Sequence, residues 1–222
     1  MGKRKAEDLF FGLRNTMTDE QQEFESYIMN NKDLLVICDS LAGTGKTTIA
    51  IACAKMLVSS KKYDGLYYIF SPVEERTLGY STGDIQDKEA KYLQPLKDGL
   101  MQIREDLTKV VFNPTITDKA KLESVWVYPM SHTFLRGSNI KNKVVIIDEA
   151  QNYTLPELRK VLTRIHDSCK VVLIGSTVQS DIKNSGFREY IEHFKGFDKC
   201  KFIKLNKNFR GELSSYADSI NL

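Results

Sequence analysis

Apolar positions along the chain fall into two alternating rhythms. Short runs at Leu34–Cys38, Gly65–Phe70, Ser124–Tyr128, Lys143–Asp148, Lys170–Gly175 and Lys201–Leu205 are rich in β-branched and aromatic residues. Their length and composition predict buried strands. Between them lie segments with helical spacing: Phe24, Tyr27 and Ile28; the alanine-rich Thr48–Val58; Leu96, Leu100, Ile103 and Leu107; and the amphipathic Leu155–Ile165. Thr18 and Gln21 form a capping box before the first of these helices, which is expected to run to about Asn31. Pro95 suits the first turn of the third. Strands that alternate with helices predict an α/β fold, with a mainly parallel central sheet flanked by helices on both faces.

Residues 1 to about 15 predict a flexible, poorly anchored N-terminal tail carrying a small apolar patch, Leu9-Phe10-Phe11. Residues 16–222 read as a single domain. Ser71-Pro72-Val73 opens a long polar connection through Gly79 and Gly83, so about 72–123 reads as a helical insertion within that domain. Pro129 through Gly137 is expected as a short helix or turn.

The first apolar run feeds Ser40-Leu41-Ala42-Gly43-Thr44-Gly45-Lys46-Thr47-Thr48, and a packed helix follows. Strand, glycine-bearing loop and helix in that order are the context of a phosphate-binding loop. Backbone N–H groups from Ala42 through Thr48 then face one concavity and bind phosphate oxygens. Gly43 and Gly45 permit dihedrals and a close approach that a Cβ would obstruct. Lys46 is expected to reach the β- and γ-phosphates of ATP, and the Thr47 hydroxyl to ligate Mg²⁺. The first glycine of the usual G-x-x-x-x-G-K-[ST] pattern is here Ser40. Gln21 or Gln22, just upstream, either hydrogen-bonds an adenine edge or only caps and solvates its helix.

A second signal is Ile147-Asp148-Glu149-Ala150-Gln151. A strand that ends in Asp places the carboxylate at the C-terminal edge of the sheet, where the phosphate loop also opens. Asp148 is expected to complete the Mg²⁺ site through water, and Glu149 to polarise the water that attacks the γ-phosphate. Gln179, in the loop after the next strand, either orients water or senses the γ-phosphate, or is an unrelated polar residue. Arg210 follows the last strand, where an arginine finger contributes about 10³–10⁵ in rate.

Composition narrows the setting. With 222 residues, 41% hydrophobic and 27% charged, the chain suits one soluble globular domain, and a net charge of +3 does not itself demand a nucleic-acid partner. Cys38, Cys53, Cys169 and Cys200 form no C-x-x-C pair and show no zinc-ligand spacing with His132, His166 or His193. Scattered thiols of this kind predict a reducing, cytoplasmic location. No apolar run reaches membrane-spanning length, so no membrane partner is expected.

The residues that carry the chemistry resemble those of the PhoH-like ATPases. The similar stretches are Ala42–Thr47, Leu135-Arg136-Gly137, Ile146–Asn152, Leu162–Ile165, and Gly175–Gln179 with Asp181. Ser71–Glu74 with Leu78-Gly79-Tyr80 and Gly83-Asp84 also follows that family's connection after the second strand. The resemblance spans about residues 18 to 220. It implies a RecA-like P-loop NTPase fold related to the first motor domain of superfamily 1 helicases, ATP hydrolysis, and a proposed RNA helicase activity. By the same resemblance Gln179 corresponds to a phosphate-sensing glutamine, and Leu205–Arg210 to the run whose arginine contacts the γ-phosphate. The departures are Ser40 for glycine, Ser71 for arginine and Ser176 for aspartate. A short form without an added RNA-binding or nuclease domain is common in bacteriophages.

Two functions of different kinds follow. One is a Mg²⁺-dependent ATPase coupled to RNA or single-stranded DNA. The chain ends soon after Arg210 with one motor lobe, so a homo-oligomeric ring, hexameric by resemblance, is expected to complete each cleft, with Arg210 acting in cis or in trans. Nucleic acid would then meet the 72–84 loop, Arg136, Tyr80, Phe134 and the lysines at 195, 199, 201, 204 and 207; the alternative for those lysines is a solvated face. The other function is an ATP-dependent switch or assembly factor that moves no strand. A guanine-reading N-K-x-D begins at Asn206-Lys207 but has Phe209 at its fourth position, which disfavours GTP. A small-molecule kinase lacks an arginine-rich lid.

Overall fold

The computed structural model describes residues 10–72, 91–115, 118–135 and 137–217. Thr18 opens the first helix as the sequence predicts. Its hydroxyl accepts from Gln21 N at 3.3 Å, and the Gln21 side-chain oxygen accepts from Thr18 N at 2.9 Å. Helix α1 (Asp19–Met29) follows, then β1 (Leu35–Asp39), α2 (Lys46–Ser59) and β2 (Leu66–Phe70). The next stretch holds α3 (Gln94–Gln102) and two single-turn helices, α4 (Leu107–Val110) and α5 (Lys119–Leu122). The remainder alternates: β3 (Val127–Ser131), β4 (Val144–Ile147), α6 (Leu155–Leu162), β5 (Lys170–Gly175), α7 (Phe187–Phe194), β6 (Cys200–Ile203) and α8 (Glu212–Ala217).

The strands form one sheet in the order β3-β2-β4-β5-β1-β6, and every pairing is parallel. Side chains alternate across it. Val144 and Ile146 join Val36, Val172 and Ile174 on the face covered by α1, α2 and α3. Val145 and Ile147 join Ile37, Val171 and Leu173 on the face covered by α6 and α7. A central strand buried on both faces has no polar side to present, which is why β4 is wholly apolar and β-branched. Each such buried side chain contributes about 1.5–3 kcal/mol. Because all strands run one way, the loops after β1, β4, β5 and β6 open on a single edge.

Three expectations are corrected. The third strand begins at Val127 and runs through Pro129 to Ser131, three residues later than its apolar run suggests. Proline is tolerated because β3 lies at the sheet's edge. Leu66 N donates to Trp126 O while Phe112 N donates to Val127 O, so even-numbered residues face β2 and position 129 faces away. The N-terminal tail is anchored from Phe10, which is 5% exposed within the α1–α2 core. Arg14 also pairs with the buried Glu25. Finally, the lysines expected to track nucleic acid are divided between two edges. Lys199 O accepts from Leu34 N and Leu35 N at the N-terminal edge, and Lys201 lies over the Tyr27 ring at 6.0 Å. Lys204 and Lys207 follow β6 on the phosphate-loop edge. Among the described residues no helix is long and apolar enough to cross a membrane.

Candidate functional site

The loop between β1 and α2 folds as its glycines require. Gly43 and Gly45 have φ of 76° and 78°, in the left-handed region. Gly43 has a second reason to lack a Cβ, which would stand 2.6 Å from Asn208 Oδ1 and 2.9 Å from Arg210 Cγ. Neighbouring elements hold the loop. Gln21 Nε2 donates to Thr44 O at 2.9 Å, Phe209 N donates to Gly43 O at 2.8 Å, and Ser40 N donates to Gly175 O at 2.9 Å. Ser40, the departure from the usual pattern, accepts from Leu205 N through its hydroxyl at 2.6 Å. The hydroxyl that replaces a glycine therefore fastens the end of β6 to the loop.

Lys46 opens α2, and its Nζ donates to Leu41 O at 2.9 Å, leaving two of its three protons for a ligand. The first-turn N–H groups at Lys46, Thr47 and Thr48 have no acceptor within the helix, so the helix start favours an anion. Gln21 spans Thr18 N and Thr44 O, which leaves one amide proton and one lone pair unspent by these two bonds.

Asp148, at the end of β4, is 1% exposed. Among the described residues it accepts three hydrogen bonds: Thr47 Oγ1 at 3.1 Å and Tyr68 hydroxyl at 2.6 Å on Oδ2, and Glu149 N at 2.9 Å on Oδ1. Threonine hydroxyl and carboxylate side by side are hard oxygen donors of the kind Mg²⁺ takes alongside phosphates and water, so these residues fit that ion. Glu149 follows with φ of 50°, a turn that separates its carboxylate from that of Asp148. It stands in the cleft, where partial burial, and after it the Asp148 charge, hold its pKa above the usual 4.5. Gln151 Nε2 donates to Glu149 Oε2, and Gln151 Oε1 accepts from Ser176 N at 3.0 Å. Gln151 thus fixes the carboxylate to the loop after β5. A Cβ on Gly175 would meet Gln151 Oε1 at 2.9 Å, so the glycine makes room for that link.

The loop after β5 is tied down by Asp39, which accepts from Thr177 N and Thr177 Oγ1, both at 2.8 Å. Gln179 Oε1 accepts from Ala42 N at 3.3 Å, so this side chain touches the phosphate loop. Asn152 and Asp181 exchange hydrogen bonds at 2.8 and 3.0 Å. Residues 42–48 floor a cleft of about 480 Å³, walled by Gln21, Glu149 and Arg210. Leu13, Met17 and Phe209 give it apolar surface.

The residues expected to form a site therefore meet at one place, with Asp148 beneath Thr47 and Gln179 against Ala42. Arg136 and the 73–90 part of the connection after β2 lie outside the described residues. Tyr68 and Phe209 are not legible as site residues in the sequence. Tyr68 reads as one more apolar strand position, and its only signal is a hydroxyl near the end of a strand beside the Asp148 strand. Phe209 sits one residue before Arg210 and reads as ordinary loop.

Comparison with known proteins places this arrangement. Curated relatives include a PhoH-like protein of Synechocystis sp. (strain ATCC 27184 / PCC 6803 / Kazusa), 33% identical over 177 residues, covering 78% of this chain and 51% of that protein. Protein PhoH2 of Bacillus subtilis (strain 168) is 28% identical over 219 residues, covering 93% of this chain and 47% of that protein. The chain spans about half the length of these relatives. Among solved structures, the UvsW helicase of bacteriophage T4 aligns with a TM-score of 0.54 at 14% identity, over 84% of this chain and 59% of that one. The large terminase of a thermophilic bacteriophage, in complex with ADP, aligns at 0.53 and 14% identity, over 89% and 46%. These likenesses establish a RecA-like P-loop NTPase fold. Residues 15–215 match the PhoH-like protein family, and the chain belongs to it.

Proposed function

We propose that this chain binds ATP with Mg²⁺ in the cleft above the phosphate loop and hydrolyses the β–γ phosphoanhydride bond. The observation that carries the reading is the hydrogen bond between Thr47 and Asp148. Two residues 101 apart in sequence bring the loop hydroxyl and the strand-end carboxylate to 3.1 Å, beside Glu149 in the cleft. Backbone N–H groups of residues 43–48 and the two available protons of Lys46 bind the phosphate oxygens. Thr47, and Asp148 through water, would hold Mg²⁺, which would supply charge neutralisation on the phosphates. Glu149 takes the proton of the attacking water, Gln151 holds that carboxylate in place, and the water oxygen bonds to the γ-phosphorus as the bond to ADP breaks. Arg210, whose stem lies against Gly43, can reach the γ-phosphate within its own subunit. Gln179 contacts the same loop and reports γ-phosphate occupancy. Leu13, Met17 and Phe209 enclose the base, and Gln21 reads its edge.

Hydrolysis is coupled in this proposal to RNA or single-stranded DNA crossing the same edge, by way of Lys204, Lys207 and the exposed Phe134 ring. Copies assemble into a ring, hexameric by analogy with the family, and work in the cytoplasm, where the four buried free cysteines stay reduced. One observation favours the second reading, an ATP-dependent switch that moves no strand: Lys199 and Lys201 lie away from the cleft edge, which shortens the basic track. ATPase rate measured against added RNA and single-stranded DNA at two salt concentrations decides between them. Coupling predicts stimulation that falls steeply with salt as counterion release is lost. A slow rate indifferent to both polymers selects the switch. Sedimentation with and without ATP tests the ring, and a monomer under both conditions rules it out.

A further inference from the structure

The Asp148 carboxylate has about four lone-pair sites, and the described residues fill three of them. Thr47 belongs to the phosphate loop, and Glu149 N is a neighbouring backbone group that any residue but proline would supply. The third donor is a choice of this sequence. Tyr68 lies on β2, in register with Ile146 of β4, two residues before Asp148. Its ring packs on the α2 face among Ile146 and Val172, with 1% exposure. From there the hydroxyl reaches Oδ2 at 2.6 Å, the shortest of the three bonds. A phenylalanine would fill the same space and leave that oxygen with Thr47 alone.

We propose that Tyr68 is a positioning residue for the Mg²⁺ site, holding the Asp148 carboxylate in the orientation that shares the Thr47 hydroxyl and leaves one lone pair, on Oδ1, for a metal-bound water. This rests on the reading of Asp148 as the metal-binding carboxylate. The terminal torsion of an aspartate is broad and weakly restrained by itself. Donors on both oxygens convert it into a fixed plane. Partners that orient a metal ligand from outside the coordination sphere are worth about 10–100-fold in metal affinity or activity.

The test follows binding rather than turnover. A fluorescent, non-hydrolysable ATP analogue is titrated into the full chain in EDTA and at graded Mg²⁺. Tyr68→Phe is expected to leave affinity in EDTA unchanged and to raise the Mg²⁺ midpoint by about 10-fold. Tyr153→Phe is the control: that tyrosine is equally buried, but its hydroxyl has no hydrogen-bond partner among the described residues, so the midpoint should not move. Adding Tyr68→Phe to Asp148→Asn should shift the midpoint no further than Asp148→Asn alone, because one acts through the other. Tyr68→Met repeats the loss of the hydroxyl in a flexible side chain if phenylalanine impairs folding.

A wild-type midpoint in Tyr68→Phe overturns the proposal, and so does equal weakening with and without Mg²⁺, the signature of packing alone. Failure of the underlying reading looks different: Lys46→Ala keeps full analogue binding and Asp148→Asn leaves the midpoint untouched.

Discussion

Two lysines are buried at opposite ends of the same sheet, and they are buried for different purposes. Lys170 starts β5 at the N-terminal edge and is 1% exposed. Its Nζ donates to Asn30 O at 2.6 Å, capping the end of α1, and also to Asp33 O. Burial pushes its pKa down to about 8, and two of its protons are committed to backbone carbonyls. Lys46 is 8% exposed at the C-terminal edge, spends one proton on Leu41 O, and faces the cleft. Burial alone therefore does not mark function. A buried cation with unspent donors beside an opening is poised for a ligand, whereas one whose protons meet carbonyls in closed surroundings is part of the frame.

Exchanging the two losses is the strongest way to break that contrast. Lys46→Ala removes two charge-assisted hydrogen bonds worth about 1.5–3 kcal/mol each, so ATP affinity should fall by about 10²–10⁴-fold while the melting temperature stays close to wild type. Calorimetric titration with ATP and a thermal melt read the two quantities separately. Lys170→Ala should do the reverse: stability drops by about 2–4 kcal/mol as Asn30 O and Asp33 O lose their donor, and the folded variant binds ATP normally. If each variant showed the other's phenotype, the distinction would be wrong.

Glu149 sharpens the cleft side. Glu149→Gln should bind ATP as wild type does and lose about 10²–10⁴ in kcat, the usual scale for a general base. The group must be ionised to accept a proton, and its folded pKa is raised. The acid limb of kcat/KM should therefore lie above pH 4.5, and activity is lost as pH falls through that raised value. An acid limb at the ordinary glutamate position would show that Glu149 is not held in the environment described.

Much of the fold and of the cleft is legible in the order of residues. Alternating apolar runs give a parallel sheet because strand and helix periods differ, and the glycines with Lys46 and Thr47 mark the loop by their succession. Asp148 and Glu149 are readable because a strand must end where the loop opens. What stays hidden depends on pairs distant in sequence. The strand through Pro129 cannot be placed without knowing that β3 is an edge. Lys170 looks like a charged strand start until α1 is seen to end above it. The links from Gln151 to Ser176 and from Tyr68 to Asp148 carry no local pattern, since each joins neighbouring strands.

Lys170 also makes a pH prediction. Its folded pKa of about 8 lies below the ordinary lysine value of 10.5, so between them the unfolded chain binds more protons than the folded one. Wild-type stability, measured relative to Lys170→Met by urea unfolding at each pH, should rise from about pH 8 towards 10.5 and level off on either side. The comparison with the variant removes the other groups that titrate in that window. A flat difference would mean that Lys170 is not strained by its burial.

The smallest expected effect lies at Ser40, which blurs the two categories: it sits in the functional loop, yet its hydroxyl is committed to structure. Ser40→Ala leaves the backbone free to keep its turn, because Ser40 is not among the positive-φ positions. It removes the acceptor for Leu205 N, a buried residue at 2% exposure, and a weak 3.4 Å hydrogen bond with Cys38 Sγ. An unsatisfied buried N–H costs about 1–3 kcal/mol, and the small cavity left by the hydroxyl allows some relaxation, so a loss of about 1 kcal/mol is expected. ATP affinity should change by less than about 2-fold, because Ser40 precedes the N–H groups proposed to bind the phosphates. If affinity falls in step with stability, the tether from β6 to the loop is shaping the phosphate site, and Ser40 belongs with Lys46. If only the melt moves, it belongs with Lys170, and the glycine of the usual pattern is replaceable wherever the end of the neighbouring strand can use the hydroxyl.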